Sequence, residues 1–304
     1  MTKIPKLLTL YFLACLICFT NCETAEKNNK NGDANNENSN NNNDGPGDQK
    51  MDITVGGSIF SIPSPIQTAM YIKEAGAEFD SDALNPMENS ENYSTDFHKA
   101  FNLGIYGTDL GYCAIYENND LCIKYMKTVR QIADHIGLDN AFNDDLLERF
   151  SNNLGVKDSM LVLVSEAYKG TDVYLKENEK DDVAALVLTG GWIEAMYIAC
   201  KSVKEDNNQL IAARITEQKN ALESLIEMLG QLGTSDDYLD LSTELEELYS
   251  IFEQIEYTYE YVPSETDAAT KTTVIKSKRK INKTEELMQT ITAKLMDIRN
   301  EYTQ

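Results

Sequence analysis

The chain has 304 residues, with 50 acidic against 27 basic side chains and a formal net charge of −23. Nucleic-acid binding needs a positive surface to meet phosphates, so this balance argues against it. His98 and His135 are the only histidines, neither sits in a metal or protease motif, and no Gly-x-Ser-x-Gly elbow occurs, which argues against zinc hydrolysis and serine-hydrolase chemistry.

Lys3 and Lys6 form a short basic start, and residues 7–19 are almost wholly apolar. That run falls short of the ~20 residues a membrane-spanning helix needs, so residues 1–21 read as a cleavable signal peptide. Cys22 follows Phe19-Thr20-Asn21, where the apolar core gives way to polar sequence, and is the expected lipidation site. Cys15 has the more usual small residue, Ala14, before it, but cleavage there would leave Leu16-Ile17-Cys18-Phe19 as an apolar stub. An ordinary secretory signal with incidental cysteines is the plainer alternative. A lipid on cysteine gives bilayer affinity of about 0.8 kcal/mol per buried methylene. The acidic body would oppose anionic headgroups, so the anchor must supply the attachment. The expected address is the bacterial cell envelope, as an outer-membrane lipoprotein facing either the periplasm or the surface.

Residues 22–50 comprise this cysteine and an Asn-rich tether without aromatic or branched aliphatic side chains. Such a segment cannot bury enough apolar area to offset its chain entropy, so a disordered spacer is expected, reaching on the order of 30 Å. Glu23 and Glu26, just after Cys22, resemble surface-export signals of Bacteroidota lipoproteins.

The body, residues 51–304, opens with apolar residues alternating around Gly56-Gly57, the pattern of a short strand or hairpin at a domain edge. Pro65 then suits the first position of a helix to about residue 79. Apolar residues at 3–4 spacing predict further helices over 93–116, 121–136, 142–154, 159–176, 183–204, 209–232, 238–259 and 283–302. Asn118, Asp144, Asp181 and Ser235 suit helix starts, and Gly137, Gly155 and Gly233 suit helix ends. Short links between long helices favour antiparallel neighbours. The fold expected is all-α, an antiparallel bundle of about eight helices with a short β segment at its N-terminal edge. Helix starts recur too irregularly for a tetratricopeptide array, though a degenerate solenoid is the runner-up. The basic run Lys276-Ser277-Lys278-Arg279-Lys280 is either a docking site for an anionic partner or a solvated loop that offsets the acidic helices.

Two segments concentrate glycine within helical pattern: one holds Gly104, Gly107 and Gly111, the other Gly190, Gly191 and the chain's single tryptophan, Trp192. Glycine costs about 1 kcal/mol in a helix interior relative to alanine, so clusters imply close helix contact or close ligand approach. Shifted by 85 residues, the segments superpose Asp109 on Glu194, Tyr112 on Tyr197 and Ala114 on Ala199, a faint duplication. Asp109 and Glu194 could thus pair in a small-residue cleft lined by these glycines and Trp192, doing acid–base work or holding a cation. The plainer reading is tight helix packing, with each carboxylate hydrogen-bonded or at an edge. Neither glycine group is a phosphate loop, and no cofactor is expected. Asp80, Asp82 and Glu91 carry the spacing of a calcium loop, but Leu84 and Asn85 stand where a ligand and the turn glycine belong. Cys113 and Cys122 could pair across neighbouring helices, or remain buried free thiols like Cys200.

Residues 101–112, Leu146-Leu147-Glu148-Arg149-Phe150, Asp158-Ser159, Ser165-Glu166-Ala167-Tyr168 and Gly190-Gly191-Trp192-Ile193-Glu194 resemble an uncharacterised family of helical Bacteroidota lipoproteins, over roughly residues 60–300. That resemblance implies address and fold but no activity. The function expected is a non-enzymatic helical scaffold or protein-binding module, on a membrane through its lipid and in contact with another envelope protein. The rival is a small-ligand, cation or enzymatic site on Asp109 and Glu194.

Overall fold

The computed structural model describes residues 50–203, 208–232, 235–267, 272–274, 278–282 and 285–304. The expected leader, Cys22, the tether to residue 49, the helix stop at Gly233 and residues 276–277 of the basic run lie outside the described residues.

The body opens with the edge hairpin: β1 (Lys50–Val55) pairs antiparallel with β2 (Ser58–Pro63), with Val55 opposite Ser58. Gly56 and Gly57 have φ of +57° and +84°. A two-residue turn that follows the twist of its strands needs positive φ at both centres, which glycine adopts without strain. Ile53, Val55, Phe60 and Ile62 fall on one face of the pair and are buried.

Ten α-helices follow among the described residues: α1 (Pro65–Glu74), α2 (Asp96–Ile115), α3 (Asn119–His135), α4 (Asp144–Asn152), α5 (Lys157–Glu177), α6 (Asp181–Lys201), α7 (Asn208–Glu217), α8 (Lys219–Leu232), α9 (Asp236–Phe252) and α10 (Glu285–Thr303). This is the all-α bundle expected. The Thr95, Asn118 and Asn143 side chains accept backbone N–H bonds at the starts of α2, α3 and α4, satisfying donors that have no partner inside a helix.

Three stretches differ from the periodicity reading. The helix expected from Pro65 to about residue 79 ends at Glu74, where Gly76 turns the chain out at φ +83°. The helix expected over 209–232 is two, because the backbone tightens at Gln218, whose N–H donates to Ile215 O at 3.1 Å. That turn lets the Gln218 side chain accept from Trp192 Nε1 at 3.3 Å. The helix expected over 238–259 stops at Phe252, and residues 256–260 instead form β3 (Glu256–Glu260). Glu-Tyr-Thr-Tyr-Glu alternates with period two and favours a half-buried pleated surface over a helix. β3 pairs antiparallel with β6 (Lys278–Asn282), while β4 (Glu265–Asp267) pairs with β5 (Thr272–Val274) further out. Together they make a two-stranded arm between α9 and α10.

α2 and α6 form the centre. Every residue of α6 from Ala184 to Cys200 is buried. By length and composition α6 could cross a membrane, but an all-round apolar helix equally suits the middle of a bundle, where it sits here. α10 runs against α6, since Arg299 meets Glu194 while Thr292 lies beside Cys200. It also runs against α2, with Tyr302 at Asn102 and Arg299 towards Asp109. α2 and α6 therefore run in the same direction, which the three intervening helices make possible.

The two central helices touch backbone to backbone. A Cβ on Gly104 would stand 1.9 Å from Val187 O, and one on Gly190 would stand 2.0 Å from Phe101 O. Gly104→Ala or Gly190→Ala must therefore push the central helices apart. Each is expected to cost about 1–3 kcal/mol or more, read as a fall in the urea midpoint. Gly230→Ala on α8, where nothing lies within 4 Å of the new Cβ, should instead raise stability by up to about 1 kcal/mol. Equal effects at all three positions would contradict this account of the central contact.

Candidate functional site

The structure brings Asp109 of α2 and Glu194 of α6 together, both 0 % exposed, and adds a third member that sequence reasoning missed. Arg299 of α10, 6 % exposed, donates from Nε to Glu194 Oε2 and from Nη2 to Glu194 Oε1, each at 2.9 Å. Two parallel bonds between a guanidinium fork and a carboxylate are the strong form of this contact. The Arg299 guanidinium also lies over the Tyr197 ring, 4.3 Å from its centroid, and Nη2 reaches Ala83 O at 3.4 Å. A sequence signal for Arg299 did exist: Leu287, Ile291, Leu295 and Tyr302 mark the buried stripe of α10, and Arg299 is four residues beyond Leu295 on it.

Asp109 is held differently. Its Oδ2 accepts the Asn85 backbone N–H at 3.1 Å, while Oδ1 is buried with no donor. Burial first, and then the neighbouring Glu194 charge, raise the Asp109 pKa well above the usual 3.8; Arg299 and the Asn85 N–H oppose this without overcoming it. The raised pKa favours the neutral acid at Asp109, which would spare the buried trio an uncompensated negative charge.

A loop seals the trio. Asn85, also 0 % exposed, donates from Nδ2 to Tyr93 Oη and from its backbone to Asp109, and its carbonyl accepts from Tyr125 Oη at 2.8 Å. Tyr106 Oη donates to Pro86 O and Tyr116 Oη to Ala77 O, both at 2.7 Å, and the Asp80 N–H donates to Tyr112 Oη. Tyr93 Oη closes on Thr303 O at the end of α10. Tyrosines of α2 and α3 thus fasten residues 77–93 along their length.

The glycines and Trp192 meet protein in place of open space. Gly104, Gly190 and Gly191 are at the α2–α6 contact, where Thr108 Oγ1 lies 3.0 Å from Gly104 O and 3.1 Å from Gly191 O. Gly107 faces the Tyr168 hydroxyl and Gly111 faces Ile66. Trp192 is buried and bonded to Gln218, away from the carboxylates.

Asp80 Oδ1 accepts the Asp82 N–H at 3.0 Å, starting a short 3-10 turn, while Asp82 and Glu91 are exposed. No group of three His, Cys, Asp or Glu able to hold a metal occurs among the described residues. Cys113, Cys122 and Cys200 are buried free thiols. Burial pushes Cys122 and Cys200 each up to about 12, which leaves no thiolate for nucleophilic work.

Comparison with protein-family models, curated proteins and solved structures finds no match to this chain.

The arrangement makes Arg299 a clamp that closes α10 onto the central pair. Removing one partner of a buried pair strands the other charge, so Arg299→Met is expected to cost about 3–5 kcal/mol in urea unfolding. Asp109 gives a pH signature. Its folded pKa is raised, so the folded state holds a proton that the unfolded state releases. The stability this contributes is fully present below about pH 3.8 and is lost as pH rises through the raised value. Asp109→Asn, which keeps a donor for Glu194, removes that dependence. Its stability relative to the native chain should grow as pH rises above about 3.8 and level off once the raised value is passed. A difference that stays flat from about pH 4 upward would show instead that Asp109 is ionised in the folded chain.

Proposed function

We propose that the chain is a membrane-anchored envelope lipoprotein, lipidated at Cys22, whose helical body is a non-enzymatic scaffold that holds another envelope protein. The observation that supports this over an enzyme is the closure of the Asp109–Glu194 pair. A carboxylate dyad that works on a substrate needs space beside it for a reacting atom. Here backbone, tyrosines and Arg299 occupy that space.

The arm supplies a contact surface. Tyr257 and Tyr259 share one face of β3 with their partner positions Ile281 and Arg279, and Tyr261 continues that period just beyond the strand. The opposite face sets Glu260 across from Lys278 and Thr258 across from Lys280. Tyr257 Oη docks the base of the arm onto Thr216 O at 3.0 Å. Tyr259 and Tyr261 are 67 % and 72 % exposed. Exposed tyrosine is common where proteins bind one another, because large rigid side chains lose little entropy on contact.

A photo-crosslinking residue at Tyr259 or Tyr261 is expected to trap one discrete partner in intact cells. The same residue at Val162, exposed on α5, should trap none. Equal or absent products at both places would remove the arm from this reading. Separately, Cys22→Ser should abolish fatty-acid labelling and release the chain from the membrane fraction, whereas Cys15→Ser should not. The reverse pattern moves the anchor to Cys15.

A further inference from the structure

A cleft of about 160 Å³ opens between α1, α6 and α7, away from the buried trio. Its floor is apolar: Ile72, Met196, Ile211 and Ile215 line it, and each is at most 2 % exposed. An apolar cavity of about 150 Å³ is large enough to take up benzene. Its rim is polar and made of side chains that can donate, namely Gln67, Thr68, Tyr71, Arg214 and Gln218. Among the described residues no acid lines it, in a chain where acids outnumber bases by 50 to 27.

Two rim groups are held in place by their surroundings. The Arg214 guanidinium stacks on the Tyr71 ring, 3.9 Å from its centroid, which fixes the plane of its donor fork. Its Nη1 contacts Glu217 Oε2 at 3.0 Å, but both side chains are nearly half exposed, and such a pair is worth little. Gln218 Oε1 accepts from Trp192 Nε1, which leaves the Gln218 amide nitrogen to donate.

We propose that this cleft is a binding site for a small organic anion, a carboxylate on a single ring or a short branched chain. The apolar body fills the floor, and the carboxylate takes the Arg214 fork and the Gln218 amide. The site is independent of the anchor and of the arm.

Trp192 is the only tryptophan of the chain and bonds directly to a rim residue, so its emission reports occupancy in the purified full chain. Benzoate is expected to shift that emission saturably, benzyl alcohol to bind about tenfold more weakly for want of the charge-assisted bond, and acetate to have no effect. Arg214→Gln should weaken benzoate about tenfold and leave benzyl alcohol unchanged. Glu217→Gln frees the guanidinium from its competitor without touching the cleft, and should tighten benzoate by about two- to fivefold. Thr68→Leu should block both aromatic probes by filling the rim. The proposal is overturned if no probe gives a saturable shift. It is equally overturned if benzoate and benzyl alcohol bind alike and neither Arg214→Gln nor Glu217→Gln changes benzoate.

Discussion

An ionised carboxylate moved from water into a protein interior loses several kcal/mol of hydration, and two side by side also repel one another. This body puts Asp109 and Glu194 in that position on its two central helices, and much of its architecture answers the resulting problem. Arg299 supplies the compensating charge, and burial beside Glu194 raises the Asp109 pKa, which favours the neutral acid there. Because Arg299 belongs to α10, the central pair and the last helix form one cooperative unit. Asn85 and the tyrosines around it complete the polar contacts, which ties residues 77–93 to the same unit. The stability of the body is thus concentrated where three helices and a loop converge.

The periodic parts of this fold were readable in the sequence, and the reasons are physical. The hairpin followed from alternation about Gly56-Gly57, and the helices from apolar spacing and from caps such as Asn118; at α4 the cap is Asn143, one residue before the Asp144 expected. Three boundaries escaped, the end of α1 at Glu74 among them. Phe252, Ile255 and Tyr259 keep a helical 3–4 spacing that competes with the period-two alternation of residues 256–260, and the pairing with β6 decides for a strand. The break at Gln218 goes with a bond to Trp192, a contact between positions 26 residues apart. Neither partner is visible in a local window.

The candidate site divides in the same way. Carboxylates on otherwise apolar, glycine-bearing helices stood out as Asp109 and Glu194 because a charge inside an apolar stripe breaks the pattern. Arg299 breaks the stripe of α10 just as plainly, but its carboxylate partner lies 105 residues away, and no spacing in the sequence links the two. The 85-residue shift that aligns Asp109 with Glu194 likewise carries α2 almost onto the span of α6. In space these two helices run the same way and touch at Gly104 and Gly190. The spacing of the glycines could be read in one dimension, but which surface they meet could not.

Arg299 follows Glu194 by 105 residues. Both central helices are thus complete in the chain long before the guanidinium that lets their carboxylates leave water. Closing α2 onto α6 without α10 would bury charge without its partner, which sets a cost against packing the core before the last helix is in place.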